Sequence, residues 1–571
     1  MKRIVSFIFF VASLGITLFS QDIPQYISYT RVYDFLDEMA NERLIDINSA
    51  IKPYSRKFIA DRLLEIQKKE IELNKRQRDE LYFLLEDYAL EITKLPDYDI
   101  PLWETDQLRL DLLPPVFQYN DTVFRARIQP LLGANIYKNK KGTVTQRWLG
   151  IDFQSTIGKG LTIYGSLRDL ANIGDTLSRY GYLNQMPGYQ YKEASYGFDY
   201  SDSRGGVKYA WNWGSVGLIK DNIIWGDNYH GSNIISGRVP SFPMITLRVK
   251  PVKWFELNYI HGWLVSNVKD STKYYIENDT KIHYRNHNKY IAANMFTFTP
   301  YRNLNISFGN SIVYAENNIQ PGYLLPIAFY KSIDHTLTKG IATENQNSQM
   351  FLNISSRNIK HLHLFTSIYA DEFSFSRLKS SNKETNPISY KLGGKLSNFP
   401  IENLSITGEF THSNIVTYKH FISVLTYTSN DYNLGHYLGD NAQEFFLSVG
   451  YKPVRGLDLS LNYLNAKHGN EYNFIKRIGS NNIIKQIISQ PFMNDVIWTN
   501  QTIGLNALYE VYNNLYIQLD IENSNIQGHN ATAGTIEGEV RMTSQEVLNR
   551  YTSSFFQGKN TTVKLGLSFG F

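Results

Sequence analysis

Residues able to do chemistry are densest between positions 225 and 243. Trp225-Gly226-Asp227-Asn228-Tyr229-His230-Gly231-Ser232-Asn233 runs on through Ser236 to Pro240-Ser241-Phe242-Pro243. Aromatic faces stack on the apolar side of a sugar ring, and carboxylates, amides and imidazoles hydrogen-bond its hydroxyls. A well-ordered external loop would use the same residues for its turns and internal hydrogen bonds. His361 and His363 share one strand face beside a turn and offer metal-ligand spacing, but no carboxylate ligand stands near them in sequence. Glu277, Asp279, His283 and His287 share one long loop and read as solvated polarity. The chain carries no P-loop, GxSxG elbow, HExxH or EF-hand loop, so no catalytic residue, metal or cofactor is expected. Ser, His and acidic residues on many lumen faces leave a phospholipase-like hydrolase as a lesser alternative.

The elements that would position such residues follow from composition and period. Only 19% of residues are charged and mean hydropathy is -0.33, too polar for a helical membrane protein and too uncharged for a disordered one. The 40 Tyr and 32 Phe favour strands and aromatic girdles. The formal charge of +5 includes Lys2 and Arg3 of an export leader, so no nucleic-acid partner is inferred. Residues 1–20 form that leader: a basic start, an apolar run Ile4 to Phe19, and a cleavage point near Ser20 and Gln21. With no cysteine, the chain carries neither a lipid-anchor cysteine nor a disulfide framework. Beyond the leader no run reaches the ~18 apolar residues of a membrane helix. Any spanning part must be a barrel.

Residues 21–100 read as a small helical domain. The apolar period is helical at Tyr33, Leu36, Met39 and Ala40, then at Phe58, Ile59, Leu63 and Ile66, then at Leu81, Leu84, Leu85 and Tyr88. Ser55 and Asn74 suit N-caps, and Pro96 closes the third helix. So small a head has a marginal core alone and gains from docking against a larger body. Phe35 to Leu64 faintly resembles one surface-layer homology repeat, but a single degenerate copy is weak evidence for glycan binding, and a packing or plug domain is the preferred reading. Residues 101–121, with Pro101, Pro114 and Pro115, read as a linker.

From 122 to 571 the period is two. Leu304, Ile306 and Phe308 alternate with Asn305, Ser307 and Gly309, and Leu457, Leu459 and Leu461 with Asp458, Ser460 and Asn462. Such runs follow short turns, for example Lys250-Pro251-Val252-Lys253 and Lys452-Pro453-Val454-Arg455, and are separated by long polar connections. Short turns alternating with long loops mark an outer-membrane barrel. A first hairpin over Val123 to Ile157 and a tight reversal at Gly214 and Ser215 bring the count to 18 antiparallel transmembrane strands. Both barrel ends then fall on the short-turn side, which puts the helical domain in the periplasm. The last strand, Val563, Leu565, Leu567, Phe569 and Phe571, has the form read by barrel assembly machinery, and its outer face implies outer-membrane lipid as a partner.

The stretch from Trp225 to Pro243 resembles the WG…YHG…PSFP signature of the Wzi-type capsule assembly proteins. Three further segments resemble the same family: Leu325-Pro326-Ile327-Ala328-Phe329-Tyr330-Lys331-Ser332-Ile333-Asp334-His335-Thr336-Leu337, Ala370-Asp371-Glu372-Phe373-Ser374-Phe375, and Gly435-His436-Tyr437-Leu438-Gly439-Asp440-Asn441-Ala442-Gln443-Glu444. Pro-rich turns and Tyr/Asn-rich composition suggest a Bacteroidota-like member. The resemblance implies an 18-stranded outer-membrane barrel with a periplasmic helical bundle, acting as a lectin that holds capsular polysaccharide. The residues expected to dock that glycan are Trp225, Asp227, Tyr229, His230, Asp334, His335, Asp371, Glu372, His436 and Asp440. A solute channel is the alternative, since 18 strands can enclose an aqueous lumen.

Overall fold

The hairpins close on themselves. The computed structural model describes residues 21–570 apart from 93, 96–100, 176, 178–180, 184–187, 279–280, 338–345, 372–376, 378–383, 475–485 and 532–538. The residues expected as a leader, and Phe571, thus lie outside the described residues. Among these, eighteen antiparallel strands form one closed barrel. They are β1 Phe124–Asn139, β2 Gly142–Ile157, β3 Leu161–Ile173, β4 Gly197–Trp211, β5 Gly214–Asp221, β6 Phe242–Val252, β7 Phe255–Leu264, β8 Lys289–Tyr301 and β9 Leu304–Tyr314. The second half comprises β10 Gln346–Ser356, β11 Leu362–Ala370, β12 Ile388–Ser397, β13 Leu404–Ser413, β14 Ala442–Tyr451, β15 Leu457–Gly469, β16 Val496–Tyr512, β17 Leu515–Gly528 and β18 Gly558–Phe569. β18 closes the ring on β1, with Phe569 opposite Leu132 and Val563 opposite Lys138.

Alternation sets the two faces of this wall. Leu461, Leu565 and Leu567 point outward and are half exposed, whereas Thr407, Glu409 and Thr562 are buried inside. Trp213, Trp254, Tyr301 and Tyr451 stand exposed around the short-turn rim, where an aromatic girdle belongs. No helix among the described residues is long and apolar enough to cross a membrane.

Two expectations shift. The reversal before β5 falls at Asn212 and Trp213, and Gly214 already belongs to the strand. A Cβ there would stand 2.6 Å from the Arg248 carbonyl oxygen, so a glycine is needed for strand contact and not for the turn. The segment expected as a linker carries three short strands, Pro101–Glu104, Leu108–Asp111 and Phe117–Asn120, which continue as a meander onto the beginning of β1. The alternating Leu108-Arg109-Leu110-Asp111 run carries this pairing, with Arg109 buried against Asp111 at 3.0 Å.

The head has three helices, α1 Thr30–Asn41, α2 Arg56–Gln67 and α3 Lys75–Asp87. Ser55 caps α2 by accepting from the Phe58 amide at 3.1 Å, and Asn74 with Gln77 forms a capping box on α3. Leu36, Met39, Ile59, Leu63, Ile66, Leu81 and Leu84 bury one shared core, and Tyr516 of β17 completes it. The head sits in the short-turn mouth of the barrel. Asn305 donates to the Ile47 carbonyl at 3.0 Å, Asn41 donates to Ser397 at 2.9 Å, and the extended pair Ile51–Lys52 hydrogen-bonds to Ile224–Trp225.

Ion pairs also join head and wall. Arg31 reaches Asp458 at 3.0 Å, Glu510 at 2.8 Å and Glu80. Asp87 meets Arg127 at 2.8 Å, and Asp37 meets Arg357 at 2.5 Å. Burial alone would push the Asp37 carboxyl up, but Lys395, Arg357 and His363 outweigh it and hold the group well below the ordinary carboxylate range. Glu38, beside Arg76 and Lys452, and Asp87, beside Arg127 and Arg56, are lowered against burial in the same way. A carboxylate whose pKa is lower docked than free binds fewer protons docked, so acid favours the free state. These three carboxylates therefore support docking in full above the ordinary carboxylate range and lose that contribution as pH falls below about 4. Protease cleavage within α2 and α3, followed across pH 3–7 with an acid-tolerant protease, should rise only at the acid end.

Candidate functional site

Between β5 and β6 the chain does not reach outward. It folds into the lumen, where Trp225 N–H donates to Ile235 O at 2.9 Å and receives the reverse bond at 3.2 Å, closing a tight loop. Gly226 and Gly231 take left-handed φ values of 96° and 86°, and a Cβ on Gly226 would stand 2.8 Å from Ser232 Oγ. The residues between them serve internal bonds. Trp225 is 2% exposed, edge-on to Phe351. Asp227 is 1% exposed and exchanges two hydrogen bonds with Asn353, its amide donating at 2.9 Å and its carboxylate accepting at 2.7 Å.

Tyr229 ties this loop to the head. Its hydroxyl donates to Asp37 Oδ2 at 2.8 Å and lies 2.7 Å from His363 Nδ1, while Arg357 holds the other Asp37 oxygen. His230 stacks flat on Phe446 at 4.3 Å, with Nδ1 3.1 Å from Glu444. Its amide donates to Glu409 at 2.9 Å, and Lys391 neutralises that carboxylate at 2.9 Å. His363, the metal candidate, thus packs among a guanidinium, a phenol and Ser355.

A second loop, residues 414–441, lies over the first. Tyr418 donates to Asn233 O at 2.7 Å, Ser236 N–H to Leu434 O at 2.8 Å, and Tyr418, Tyr427 and Tyr369 pack ring against ring. Val416 and Tyr418 hold left-handed φ values of 55° and 69°, strain of about 1–3 kcal/mol each that the surroundings must sustain. Asp440 helps by accepting the Val416 amide at 2.9 Å. Together the two loops and the head occupy the lumen from both ends. Cavities of about 370, 510 and 700 Å³ remain between head, floor and wall.

On the long-loop side of this floor opens a cavity of about 480 Å³. Tyr182, Tyr432, Tyr437, Tyr472, Phe474 and Tyr551 line it with Arg238, Lys419 and Arg550. One wall is a ring stack in which Tyr182 lies 4.1 Å from both His468 and Tyr551. Arg238 lies over Tyr437 at 5.1 Å, and burial pushes its guanidinium down to about 10. Among the described residues, Asp440, His468 and Glu471 each present one possible ligand atom within 4.8 Å of the others. The Lys419 ammonium already bridges the two carboxylates at 2.9 and 2.7 Å. Burial opposes this charge, but Lys419 and His468 outweigh it and hold Glu471 low. His436, pushed down to about 4 by burial, stays neutral beside Glu444 at 3.5 Å. Flat rings with fixed donors and acceptors around a cavity of this size suit a small number of sugar rings.

The residues singled out from sequence divide among four places. Trp225, Asp227, Tyr229 and His230 form the lumen floor. Asp440 lines the cavity, and His436 stands behind it. Asp371 is buried at the end of β11, accepting from Gln349 at 3.3 Å, and Glu372 lies outside the described residues. Asp334 and His335 lie on α4 Tyr330–Leu337, against the outside of the wall. Sequence reasoning missed Tyr182, Arg238, Lys419, Tyr472 and Tyr551. They come from separate long loops, and their abundance of tyrosine was the one signal available.

The sequence model described as "Capsule assembly protein Wzi" matches residues 152–537, from inside β2 to the last long loop. The chain belongs to the Wzi capsule assembly family. No curated protein matches it. Among solved structures, the Escherichia coli outer-membrane protein Wzi, involved in group 1 capsule assembly and described as a carbohydrate-binding β-barrel, aligns with TM-score 0.56 at 10% identity, covering 97% of this chain and 100% of its own. Pseudomonas aeruginosa OccD3 (OpdP) aligns with TM-score 0.41 at 11% identity over 84% of this chain and 97% of its own. OprD of the same organism aligns with TM-score 0.37 at 11% identity over 78% and 94%. The Wzi match covers the floor loop and the cavity lining as far as Phe474, with Arg550 and Tyr551 beyond its end, and this Wzi-family chain is an outer-membrane barrel.

In this Wzi-family barrel the floor is an energetic knot. Arg357→Ala would leave the Asp37 carboxylate with Lys395 at 3.4 Å and remove the donors to Asn41 and Ser49, which should cost about 3 kcal/mol. Tyr229→Phe removes one hydroxyl from the same cluster and should cost about 1–3 kcal/mol. Urea unfolding of the detergent-folded barrel, followed by tryptophan fluorescence, measures both, and the order Arg357 above Tyr229 is the expected result.

Proposed function

We propose that the protein is a non-enzymatic receptor that holds surface polysaccharide for capsule assembly. The observation that carries this reading is the aromatic cavity at the long-loop end, built above a blocked lumen. Long loops would face the cell exterior and the head the periplasm, which puts the cavity where a surface glycan lies. Tyrosine rings supply stacking, and Arg238 and Arg550 supply donors to hydroxyl or acidic groups, with no bond made or broken. The described carbohydrate binding of the E. coli structure supports the same reading. The outward row Leu565 and Leu567 on the terminal strand supports lipid contact and recognition by barrel assembly machinery.

Among the ten residues expected from sequence, Asp440 remains a direct contact in this reading. Trp225, Asp227, Tyr229 and His230 act by shaping the floor, and His436 by backing Tyr437. Titration of purified barrel with fragments of the producing strain's own surface polysaccharide is the direct test. Tyr432→Ala and Arg550→Ala should each weaken binding about threefold to tenfold, since one aromatic contact contributes about 0.5–1.5 kcal/mol. Equal affinity in wild type and both variants would overturn the assignment to this cavity.

A solute channel is disfavoured because the head and two inward loops occupy the lumen from both ends. In planar bilayers the protein should show no steady conductance, and stepwise ohmic currents would restore the channel reading.

A further inference from the structure

Part of the chain lies outside the barrel wall at membrane depth. Side chains alternate on β7 to β9, and those facing the lumen are fixed by contact with the head: Thr297 accepts from Asn48, and Asn305 donates to Ile47. Tyr259, Tyr290, Ala292, Asn294, Asn310, Ile312 and Tyr314 therefore face outward. A wall facing hydrocarbon should be apolar there, and exposed on one side. Instead Tyr290, Ala292, Ile312 and Tyr314 are buried, and so are two asparagines, Asn294 and Asn310.

The cover is the segment 319–337, a single 3-10 turn at Pro321–Leu324 followed by α4. Tyr323 and Tyr330 pack onto the outward tyrosines of the wall. The asparagines satisfy its backbone. Asn294 donates to the carbonyls of Pro326 and Ala328 at 3.0 and 2.8 Å, and Asn310 donates to Ala328 and accepts from the Tyr330 amide at 2.9 Å. Tyr259 donates to the Tyr323 carbonyl at 3.0 Å. Irregular backbone survives at hydrocarbon depth only when its polar groups are satisfied by protein, and Pro321 and Pro326 have no N–H to satisfy.

The far side of the segment is apolar: Leu325, Ile327 and Phe329 are 55%, 74% and 50% exposed. A tilted strand crosses the hydrocarbon in about 9–11 residues. Counted from Tyr301 at the aromatic rim, that span extends to about Tyr290 and encloses Asn294 and its partner Asn310. We propose that segment 319–337 is a strap embedded in the leaflet on the long-loop side, whose Leu325, Ile327 and Phe329 contact lipid acyl chains. Phe308, the outward wall position next to Asn310 on β9, is itself half exposed and apolar, which favours acyl chains over a second copy of the barrel. The strap widens one flank of the barrel, and it turns two polar wall positions into anchors.

The chain has no cysteine, so single sites can be labelled cleanly. Full-length Ile327→Cys and Phe329→Cys would each carry an environment-sensitive nitrobenzoxadiazole dye in phosphatidylcholine vesicles. Doxyl groups on the acyl chains, or iodide in the buffer, serve as quenchers. Leu567→Cys on the lipid-facing wall and Tyr275→Cys on the exposed strand Lys269–Glu277 are the references. Blue-shifted emission, with acyl-chain quenching equal to that at position 567 and little loss to iodide, is the expected result at either position. Iodide quenching like that at position 275 would overturn the proposal. So would a disulfide-linked dimer of the unlabelled Ile327→Cys variant with loss of acyl-chain quenching, which would assign the face to a second copy.

Discussion

A closed sheet of eighteen strands surrounds more space than its own inward side chains fill, and the rest of this molecule is arranged around that fact. The inner face is polar because alternation leaves it so, and a polar face in a narrow lumen must find partners or hold water. Here the head supplies partners from one end and two long loops supply them from the other. They converge on Arg357, whose guanidinium donates at once to Asn41, Ser49 and Asp37 of the head, while Tyr229 of the loop shares the same Asp37. A buried guanidinium tolerates no missing acceptor, so wall, head and loop are held in one arrangement.

That arrangement decides where binding can occur. With the floor fixed, the loops above it are not free polar connectors; they inherit its rigidity through Asn233, Leu434 and Asp440. A receptor gains from this, because ordering costs are met during folding and not at the moment of binding. The left-handed Val416 and Tyr418 show the same logic locally, with backbone strain sustained by the surroundings to set the cavity wall.

The outside of the barrel follows a different solvent and the same accounting of polar groups. Asn294 and Asn310 would be misplaced on an ordinary lipid-facing wall. Capped by the backbone of the strap, they are satisfied, and the surface offered outward becomes apolar again.

Period-two alternation fixed the strands and their faces, and the short turns fixed their number, because pleat and turn chemistry are local. The helical head was equally legible: Ser55 and Asn74 cap the helices they were expected to cap. Local rules failed where contacts are distant. Gly214 looked like a turn glycine but serves the approach of a neighbouring strand, and residues 101–121 looked like a linker because their pairing partner is the start of β1. The motif from Trp225 to Asn233 was visible as a concentration of functional groups, yet nothing in its sequence tells a surface from a floor. Its burial depends on Asp37, Asn353, Glu409 and Glu444, which stand far away in the chain. The amino-acid sequence by itself determined a barrel, its size and its helical head. Which loops turn inward, where the aromatic cavity opens, and which segment lies along the outer wall were decided only by tertiary structure, since the groups that satisfy those backbones are brought together by closure of the sheet.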